Sequence, residues 1–359
     1  MKRNFVSPFT RIASMAAMAV VLAACASPTP TAAPAKPTEA PKPAAPAAAP
    51  SGNLKTIKFG FVPVIINGAV YVAAEKGYFA QEGIQLEFLA IDGGSDAVVQ
   101  VAAGNFDVAG GGIAAGMLNA VSRGIEFEIA APLHFERPKV ASPLVVSKKR
   151  FDSGELTKAA DLKGKKVATN NRGTATEWWL SEALKKGGVD IKDVQIQGVP
   201  FPQIGPALES GTLDGAILTE PFATTAEGLG LIKRISEDFI SDFKPTYVYF
   251  NKAWVKANPD LAKGFMKAYL RGARDLEGEK YYDEANLKAI EKWTKTPADV
   301  LKRASRAYYD PQGVVPLKDI MTLQAFFRKQ GLLNYPDDID MAKFINTKYV
   351  DDALKELGK

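Results

Sequence analysis

The pattern of apolar and polar positions repeats a short unit along most of the chain. From residue 56, "TIKFGF" alternates polar and apolar residues, as a half-buried strand does. Residues 68–83 have the spacing of a helix, and Gly77 is placed to end its main part. "IQLEFLAI" at 84–91 is again a strand pattern. This order of strand, helix and strand predicts an α/β fold with a mostly parallel sheet.

The same order of elements occurs in two successive series. The first series further predicts helices at 95–103 and 113–122, and strands at 106–110, 126–131 and 143–147. The second predicts strands at 166–169, 193–199 and 214–219, helices at 174–188 and 203–210, and a helix that opens at Pro221. A strand at 246–251 follows, and the chain is then largely helical to residue 333, with breaks at Pro259, Pro297 and Pro311.

Two short phrases occupy matching places in these two series. "AAGNFDVAGGG" at 102–112 and "ESGTLDGAILTEP" at 209–221 both place a glycine, two residues, an aspartate and a short apolar run in that order. Ligands of parallel α/β sheets gather beyond the carboxyl ends of the strands, next to helix N-termini. We therefore expect the loops after these runs to form a site, while Asp107 and Asp214 stabilise the preceding turns.

The first residues have the features of a bacterial export signal. Lys2, Arg3 and Arg11 precede an apolar stretch at 13–24, which is too short to span a bilayer. The stretch ends in "LAAC", which resembles a lipobox and predicts a signal peptide at 1–24 with lipidation of Cys25. Residues 25–52 are rich in Ala and Pro and predict an extended tether. We expect an extracytoplasmic domain anchored to the cell membrane.

Composition and charge restrict the class of protein. Cys25 is the only cysteine, so no internal disulfide is available. The formal net charge of +5 falls further if the basic signal peptide is removed. No basic cluster with interleaved aromatic residues indicates nucleic-acid binding, and residues 148–150 ("KKR") are interpreted as a solvated loop. The folded part, 53–359, is long enough for two lobes or one large domain.

The residue types needed for common catalytic sites are scarce. His134 is the only histidine, which excludes a histidine-based metal cluster and a Ser–His–Asp triad and favours a structural or surface role. The glycines at 110–112 have neither the P-loop pattern nor the GxGxxG spacing. We expect a binding protein with no cofactor and no metal, rather than an enzyme.

Three segments carry a resemblance to a known family. They are "KGYFAQEGIQLEFLAIDGGSDAVVQVAAGNFDVAGGG" (76–112), "DLKGKKVA" (161–168) and "ALESGTLDGAILTEPF" (207–222). In order and spacing the chain resembles, over about 54–260, the periplasmic binding proteins for sulfonate, nitrate and thiamine-precursor import, a family similar to yeast thiamine-pyrimidine synthase. That synthase depends on a cysteine-rich motif and a sacrificial histidine. A chain whose only cysteine is Cys25 argues against that activity.

The resemblance implies an architecture and a set of partners. Two lobes of a type II-like periplasmic-binding-protein fold would close over a small molecule in the cleft between them. Lobe 1 would be discontinuous, at 54–142 plus 244–359, and lobe 2 would be 143–243, with crossings near 141–143 and 243–245. The protein would deliver its ligand to an ABC permease with its ATPase subunit.

Candidate ligand contacts lie at strand ends and helix starts. They are Pro63, Asn67, Ser95, Gly111 and Gly112 in lobe 1, and Thr174, Thr176, Glu220 and Phe222 in lobe 2. Turn conformation is an alternative reason for the glycines, and helix capping is one for the hydroxyl residues. Trp178 and Tyr247 are the aromatic candidates, although adjacent helical positions differ by about 100°, so that either Trp178 or Trp179 faces the cleft.

Two charged residues give opposite indications about the ligand. Glu220 in the cleft would repel anions and favour a neutral, donor-rich ligand, whereas Arg172 near a helix start would hold an anion. Glu220 at a helix N-terminus could instead only stabilise the helix dipole. If Glu220 binds ligand, Glu220→Ala should weaken binding and leave the melting temperature of the ligand-free protein nearly unchanged.

The aromatic residues favour a flat ligand. Phe61, Tyr71, Tyr247 and Tyr249 near strand or helix ends make a stacked ring plausible. The family that the chain resembles includes carriers of riboflavin and of thiamine-precursor pyrimidines, and riboflavin is our choice. A thiamine-precursor pyrimidine and a sulfonate- or nitrate-type anion remain alternatives, and a pyrimidine-synthase-like enzyme is a remote one.

Overall fold

The computed structural model describes residues 53–91 and 94–358, with side chains in the second range from residue 97 onward. The predicted signal peptide, the lipidation site Cys25 and the tether lie outside the described residues. Within these ranges, no helix is long and apolar enough to cross a membrane.

The strands and helices follow the predicted alternation closely. The strands are β1 Lys55–Phe61, β2 Ile84–Ala90, β3 Val108–Gly112, β4 Phe127–Glu136, β5 Leu144–Ser147, β6 Lys166–Thr169, β7 Gln195–Gly198, β8 Gly215–Ile217, β9 Ile232–Ser236 and β10 Phe243–Asn251. The helices of the first two thirds are α1 Gly68–Glu75, α2 Tyr78–Gln81, α3 Gly94–Ala102, α4 Ala115–Val121, α5 Lys148–Asp152, α6 Ala175–Lys186, α7 Phe201–Glu209 and α8 Phe222–Gly228. The remaining helices are α9 Lys252–Ala257, α10 Pro259–Asp275, α11 Glu284–Thr294, α12 Ala298–Arg303, α13 Leu317–Lys329 and α14 Lys348–Leu357.

The strands form two five-stranded sheets of the same topology. One has the order β2-β1-β3-β10-β4 and the other β7-β6-β8-β5-β9. In each sheet three neighbouring strands are parallel, and the fourth strand in the order, β10 or β5, runs antiparallel to both of its neighbours. β10 follows the second sheet in the chain and returns to the first. The lobe boundaries 54–142 plus 244–359 and 143–243 stay a prediction, which we retain as a proposal.

The first sheet is buried on both faces. Along β10, Tyr247 and Tyr249 enter one cluster of buried side chains, while Val248 and Phe250 enter another. Because successive side chains of a strand point to opposite faces, the two clusters lie on opposite sides of the sheet. β10 therefore has no solvated face, and its residues 245–251 are all buried.

The two repeated phrases build the same turn in the two sheets. Oδ2 of Asp107 accepts the N–H of Lys58 at 2.9 Å, and Oδ2 of Asp214 accepts the N–H of Lys166 at 2.7 Å. The glycine three residues before each aspartate has φ +77° in both copies, in the left-handed region that favours glycine. Both aspartates therefore join the start of their strand to the neighbouring parallel strand, which is a structural role.

Three elements were missing from the sequence prediction, namely α5, β9 and α14. Residues 148–150 were interpreted as a solvated loop, but they lie in α5, where Arg150 pairs with Glu155 and Asp214. β9 is short and only its first residue is fully buried, so its pattern is weak. Such edge elements form because a sheet or a neighbouring helix holds them, which local periodicity does not report.

Close packing of α1 on α10 gives a testable prediction. A Cβ atom on Gly272 would collide with the carbonyl oxygen of Ala69, whereas a Cβ atom on exposed Gly116 of α4 would meet open space. We expect Gly272→Ala to lower the free energy of unfolding by about 1–3 kcal/mol through overpacking. Gly116→Ala should be neutral or slightly stabilising, because alanine favours helix. Denaturant unfolding measures both, and equal effects of the two variants would contradict the packing of α1 on α10.

Candidate ligand-binding pocket at the junction of the two sheets

A pocket lies where the carboxyl ends of strands from both sheets meet. Its wall comes from the segments after β1, β6 and β8, the end of β3, the first turns of α6 and α7, the segment before β5, and β10. This is the place where parallel α/β sheets bind ligands. The lining residues are Val62, Val64, Ile66, Gly111, Gly112, Ser142, Asn170, Thr174, Ala175, Thr176, Trp179, Phe201, Thr219 and Thr246.

Hydroxyl and amide groups at the start of α6 form one polar wall. Oγ1 of Thr176 lies 2.5 Å from Oδ1 of Asn170, and Oγ1 of Thr174 lies 3.0 Å from the carbonyl oxygen of Asn171. The two threonine hydroxyl oxygens lie 2.7 Å apart, so one of them donates to the other. Thr174 is the N-cap residue of α6 by position, but its hydroxyl makes no capping bond. The two hydroxyl hydrogens thus have acceptors within this cluster, and the threonine oxygens keep lone pairs that can accept hydrogen bonds.

Three further hydroxyl groups line the pocket. Oγ of Ser142 and Oγ1 of Thr219 are 2.8 Å apart, so one donates to the other. Oγ1 of Thr246 lies 2.5 Å from Nδ1 of His134, a side chain with no solvent exposure. The lone histidine is therefore structural in position, as expected, yet it is one hydrogen bond away from the pocket.

Trp179 contributes an indole group to the wall of the pocket. Its side chain is 3% exposed, and Nε1 is a buried donor with no hydrogen-bond partner among the described residues. Buried donors are nearly always paired, and leaving one unpaired costs about 1–3 kcal/mol. An acceptor from outside the protein would remove that cost.

The two sides of the pocket approach each other closely. The amide of Ala115, at the start of α4, donates to the carbonyl of Gly173, just before α6, at 2.8 Å. A Cβ atom on Gly112 would lie 3.3 Å from Cβ of Ala175. The cavity that remains between the two sides is small. The centre of a water molecule can occupy ≈50 Å³ of it, which is room for a few waters. The two sides are thus in contact in this structure.

Glu220 lies outside the pocket, at the centre of a buried ion pair. Oε1 is 2.7 Å from Nη2 of Arg234, and the Glu220 side chain has no solvent exposure. The carboxylate also accepts the amide and the hydroxyl of Thr224 and the amide of Ser305. Burial raises the pKa of Glu220 above its ordinary value, and the charge of Arg234 opposes that rise.

Arg234 joins several parts of the chain through this pair. Its guanidinium also contacts Glu227 at 2.8 Å, Glu237 at 3.2 Å and the hydroxyl of Ser305 at 3.3 Å. Burial tends to lower the pKa of Arg234, but the carboxylates of Glu220 and Glu227 outweigh it and the pKa lies above the usual value. The pair therefore lies next to β9, outside the lining of the pocket between the two sheets.

Comparison with known proteins identifies the family. Residues 51–293 match the NMT1-like family. The chain belongs to the NMT1-like family. Riboflavin-binding protein RibY of Chloroflexus aurantiacus is 27% identical to it over 262 residues, which are 71% of this chain and 71% of that protein.

Two solved structures share the fold of this NMT1-like chain. The alkanesulfonate-binding protein SsuA from Xanthomonas axonopodis pv. citri, bound to MOPS, superposes with a TM-score of 0.67 at 17% identity, over 82% of this chain and 99% of that one. The periplasmic nitrate-binding protein NrtA from Synechocystis PCC 6803 superposes with a TM-score of 0.70 at 18% identity, over 85% and 89%. The predicted two-lobed periplasmic-binding-protein fold and the family resemblance are confirmed.

The structure brings four of the candidate residues of this NMT1-like chain together at the pocket. They are Gly111 and Gly112 at the end of β3, and Thr174 and Thr176 at the start of α6. Pro63 is half-buried between two lining valines without lining the pocket itself. The side chain of Ser95 lies outside the described residues. Ligand binding by these residues stays a prediction.

Other candidates have different neighbours in the structure. Asn67 is buried behind β3, where its amide nitrogen donates to the carbonyl of Val62 at 2.8 Å. The hydroxyl of Tyr247 donates to the carbonyl of Lys244 at 2.6 Å. Phe222 stacks on Phe201 and lies behind it. These side chains support the lining residues rather than forming the wall.

The choice of Trp178 over Trp179 needs correction. Trp178 stacks on Phe243, with ring centroids 4.1 Å apart, while Trp179 lines the pocket. The helical period separates the two side chains by about 100° but does not say which one faces inward. Arg172 is also absent from the lining, because it forms a two-point pair with the buried carboxylate of Glu177 at 3.0 and 3.2 Å.

Several lining residues were missed by the sequence reasoning. Asn170 comes directly after β6 and Thr219 is the second residue after β8, so the rule for strand ends could have found them. Ser142 lies in one predicted crossing and Thr246 follows the other. Val62, Val64, Ile66 and Phe201 gave no signal, because apolar side chains in a pocket and in a core have the same pattern.

The buried ion pair replaces the earlier expectation for Glu220. We now expect Glu220→Ala to lower the free energy of unfolding of the ligand-free protein by about 1–3 kcal/mol, because the amides of Thr224 and Ser305 lose their acceptor. Arg234 keeps Glu227 and Glu237 as partners in this variant, so its charge stays compensated. Denaturant unfolding of the purified chain measures this.

A matched control separates the ion pair from a general effect of losing a carboxylate. Glu284 pairs with Lys288 on the surface, so Glu284→Ala should leave the unfolding midpoint nearly unchanged. Replacing both partners, Glu220→Met with Arg234→Met, should be less destabilising than Glu220→Ala alone. A Glu220→Ala variant as stable as Glu284→Ala but weak in ligand binding would restore the original expectation.

Proposed function

We propose that this chain is the extracytoplasmic binding protein of an ABC importer and that it captures riboflavin or a related planar, neutral nutrient. Family membership and the periplasmic-binding-protein fold support the general class. The relative RibY, named for riboflavin binding, supports the ligand. The partners would be a permease with its ATPase subunit, and a lipid on Cys25 would hold the protein at the membrane; we propose no nucleic-acid partner and no cofactor.

The observation that carries the ligand class is the absence of charge in the pocket. Of the described residues that line it, none has a charged side chain. Glu220 and Arg172, the two charges that we considered, are paired with Arg234 and Glu177 away from the lining. A site without charge favours a neutral ligand held by shape and hydrogen bonds.

The lining combines apolar side chains with both hydrogen-bond donors and hydrogen-bond acceptors. Nε1 of Trp179 and the amide nitrogen of Asn170 are donors, while the oxygens of Thr174 and Thr176 are acceptors. The flavin ring has an edge on which an N–H lies between two carbonyls, so it needs both senses. The ring of Phe201 and three aliphatic side chains supply apolar surface for the rest of a flat ligand.

Binding of a flavin requires the two sides of the pocket to separate. Pockets for ligands of this size hold about 300–1,000 Å³, far more than the space now open between the side chains. The amide-to-carbonyl bond between Ala115 and Gly173 and the contact of Gly112 with Ala175 are the two close approaches that must open. Periplasmic-binding-protein folds have the two-lobed form that such a motion needs.

One feature of the pocket favours a small anion as the second candidate. The lining residues Thr174, Ala175 and Thr176 form the N-terminus of α6, a twelve-residue helix whose free amides can bind an oxyanion. A sulfonate or nitrate would also fit the small cavity. A thiamine-precursor pyrimidine is neutral and flat, and it would use the same groups as the flavin.

An enzymatic function has less support in the site. No group of three or more His, Cys, Asp and Glu side chains in the described ranges is placed to hold a metal ion. His134 has no exposed surface and reaches the pocket only through the hydroxyl of Thr246. We therefore propose binding without turnover.

Ligand release from the purified protein tests the proposal. The full chain, purified from cells grown with riboflavin and then denatured, should release a yellow compound with green fluorescence and the mass of riboflavin. Calorimetric titration of the ligand-free chain with riboflavin should give micromolar or tighter affinity. Taurine should give no heat and should not displace riboflavin. Tight binding of taurine with no binding of riboflavin would reverse the order of the two candidates.

The two neighbouring tryptophans provide a matched pair for the pocket. Trp179→Phe removes the indole donor and should weaken riboflavin binding by about 5- to 10-fold, the value of one hydrogen bond. Trp178→Phe keeps an aromatic ring against Phe243 and should change the affinity by less than about 2-fold. Equal effects of the two variants would show that Nε1 of Trp179 does not bind the ligand.

A further inference from the structure

A buried chain of three polar side chains runs behind the pocket. Oε1 of Glu136 lies 3.2 Å from Nε2 of His134, and Nδ1 of the same ring lies 2.5 Å from Oγ1 of Thr246. Glu136 and Thr246 are 1% and 3% exposed, and His134 is fully buried. Thr246 is the member of the chain that lines the pocket.

The carboxylate determines which ring nitrogen carries the proton. Oε2 of Glu136 accepts the amide N–H of Ala141 at 2.8 Å, and an ionised carboxylate only accepts hydrogen bonds. Nε2 of His134 must then be the donor to Oε1. In serine hydrolases a buried carboxylate fixes the tautomer of a neutral histidine in the same manner, although through the other ring nitrogen.

The tautomer in turn determines the role of the threonine hydroxyl. In the neutral ring with its proton on Nε2, Nδ1 of His134 is an acceptor, and the hydroxyl of Thr246 must donate to it; a doubly protonated ring would instead donate from Nδ1. The single hydroxyl hydrogen is used in this bond. Oγ1 of Thr246 therefore presents only lone pairs to the pocket.

We propose that Glu136 and His134 are positioning residues that make Thr246 an obligate hydrogen-bond acceptor and so select a ligand with an N–H or O–H at that point. The selection of a ligand by Thr246 rests on the proposed binding function, but the position of the proton on His134 does not. Backbone pairing already holds Thr246 in place, opposite Gly112 on one side and His134 on the other. The side-chain bond to His134 adds the direction of the hydroxyl rather than the position of the residue.

The tautomer can be measured directly, because His134 is the only histidine of the chain. Nitrogen-15 NMR of the full, untagged protein should show one imidazole, protonated on Nε2 and unprotonated on Nδ1, in the ligand-free state at neutral pH. A ring protonated on Nδ1 alone, or on both nitrogens, would overturn the proposal, since Thr246 would then accept from His134. This measurement needs no variant and no ligand.

An isosteric variant should reverse the direction of the hydrogen bonds from residue 136 through His134 to Thr246. In Glu136→Gln, the new amide oxygen can still accept from Ala141, while its NH₂ group faces Nε2 of His134 as a donor. The proton should move to Nδ1, and the hydroxyl of Thr246 should turn to the pocket as a donor. We expect about 10-fold weaker riboflavin binding, together with the opposite tautomer by NMR.

A double variant separates this role from a general loss of stability. Thr246→Val keeps the shape and removes the hydroxyl, so adding Glu136→Gln to it should change riboflavin affinity by less than about 2-fold. A 10-fold effect of Glu136→Gln in both backgrounds would contradict action through Thr246. If riboflavin does not bind at all, the ligand proposal fails, and the NMR result on the unaltered protein still decides the tautomer.

Discussion

The hydrogen bond from the amide of Ala115 to the carbonyl of Gly173 joins two elements that belong to different sheets. It forms because Gly173 has φ +66°, a conformation that side chains disfavour, and because a Cβ atom there would approach Ala115 to 3.1 Å. Gly112 permits a similar approach toward Ala175. These contacts hold the two sides of the pocket together in this structure, so the entry of a ligand depends on small residues at the contact as much as on the polar lining.

The charged side chains near the pocket are paired within the protein, outside the pocket lining. The pair between Glu220 and Arg234 is buried, and removal of Arg234 would leave the carboxylate of Glu220 without a counter-charge in a place that water does not reach. Glu177 holds Arg172 at the start of α6 in a comparable manner. With these charges satisfied inside the protein, the pocket is left with hydroxyl, amide and indole groups. The same sequence features that suggested charged ligand contacts thus keep the site neutral.

The sequence supports the fold more fully than the site, for physical reasons. Strand alternation, glycines at helix ends and the repeated aspartates are local signals, and each predicts an element that the structure contains. The role of Glu220 depends on Arg234 and Ser305, which come from later parts of the chain, and no local pattern connects them. Trp178 and Trp179 differ only in the side of α6 on which they lie. Which side faces the pocket depends on the elements that pack against the helix, and these are distant in sequence. Strand ends and helix starts predicted four lining residues, and applying the strand-end rule to Asn170 and Thr219 would have extended the list.

Hydrogen-bond direction is the main source of selectivity that remains to a neutral pocket. Apolar walls distinguish ligands weakly, with about 1–3 kcal/mol per methylene, whereas a site with committed donors and acceptors strongly rejects a ligand that leaves them unpaired. Most hydroxyl groups can rotate to suit either sense, so they select little. In this pocket the hydroxyl hydrogens of Thr174 and Thr176 have acceptors within their own cluster, and the imidazole of His134 is placed to accept that of Thr246. Committing hydroxyls in this manner turns adaptable side chains into fixed acceptors, which is how a lining without charge can still discriminate between ligands of one size.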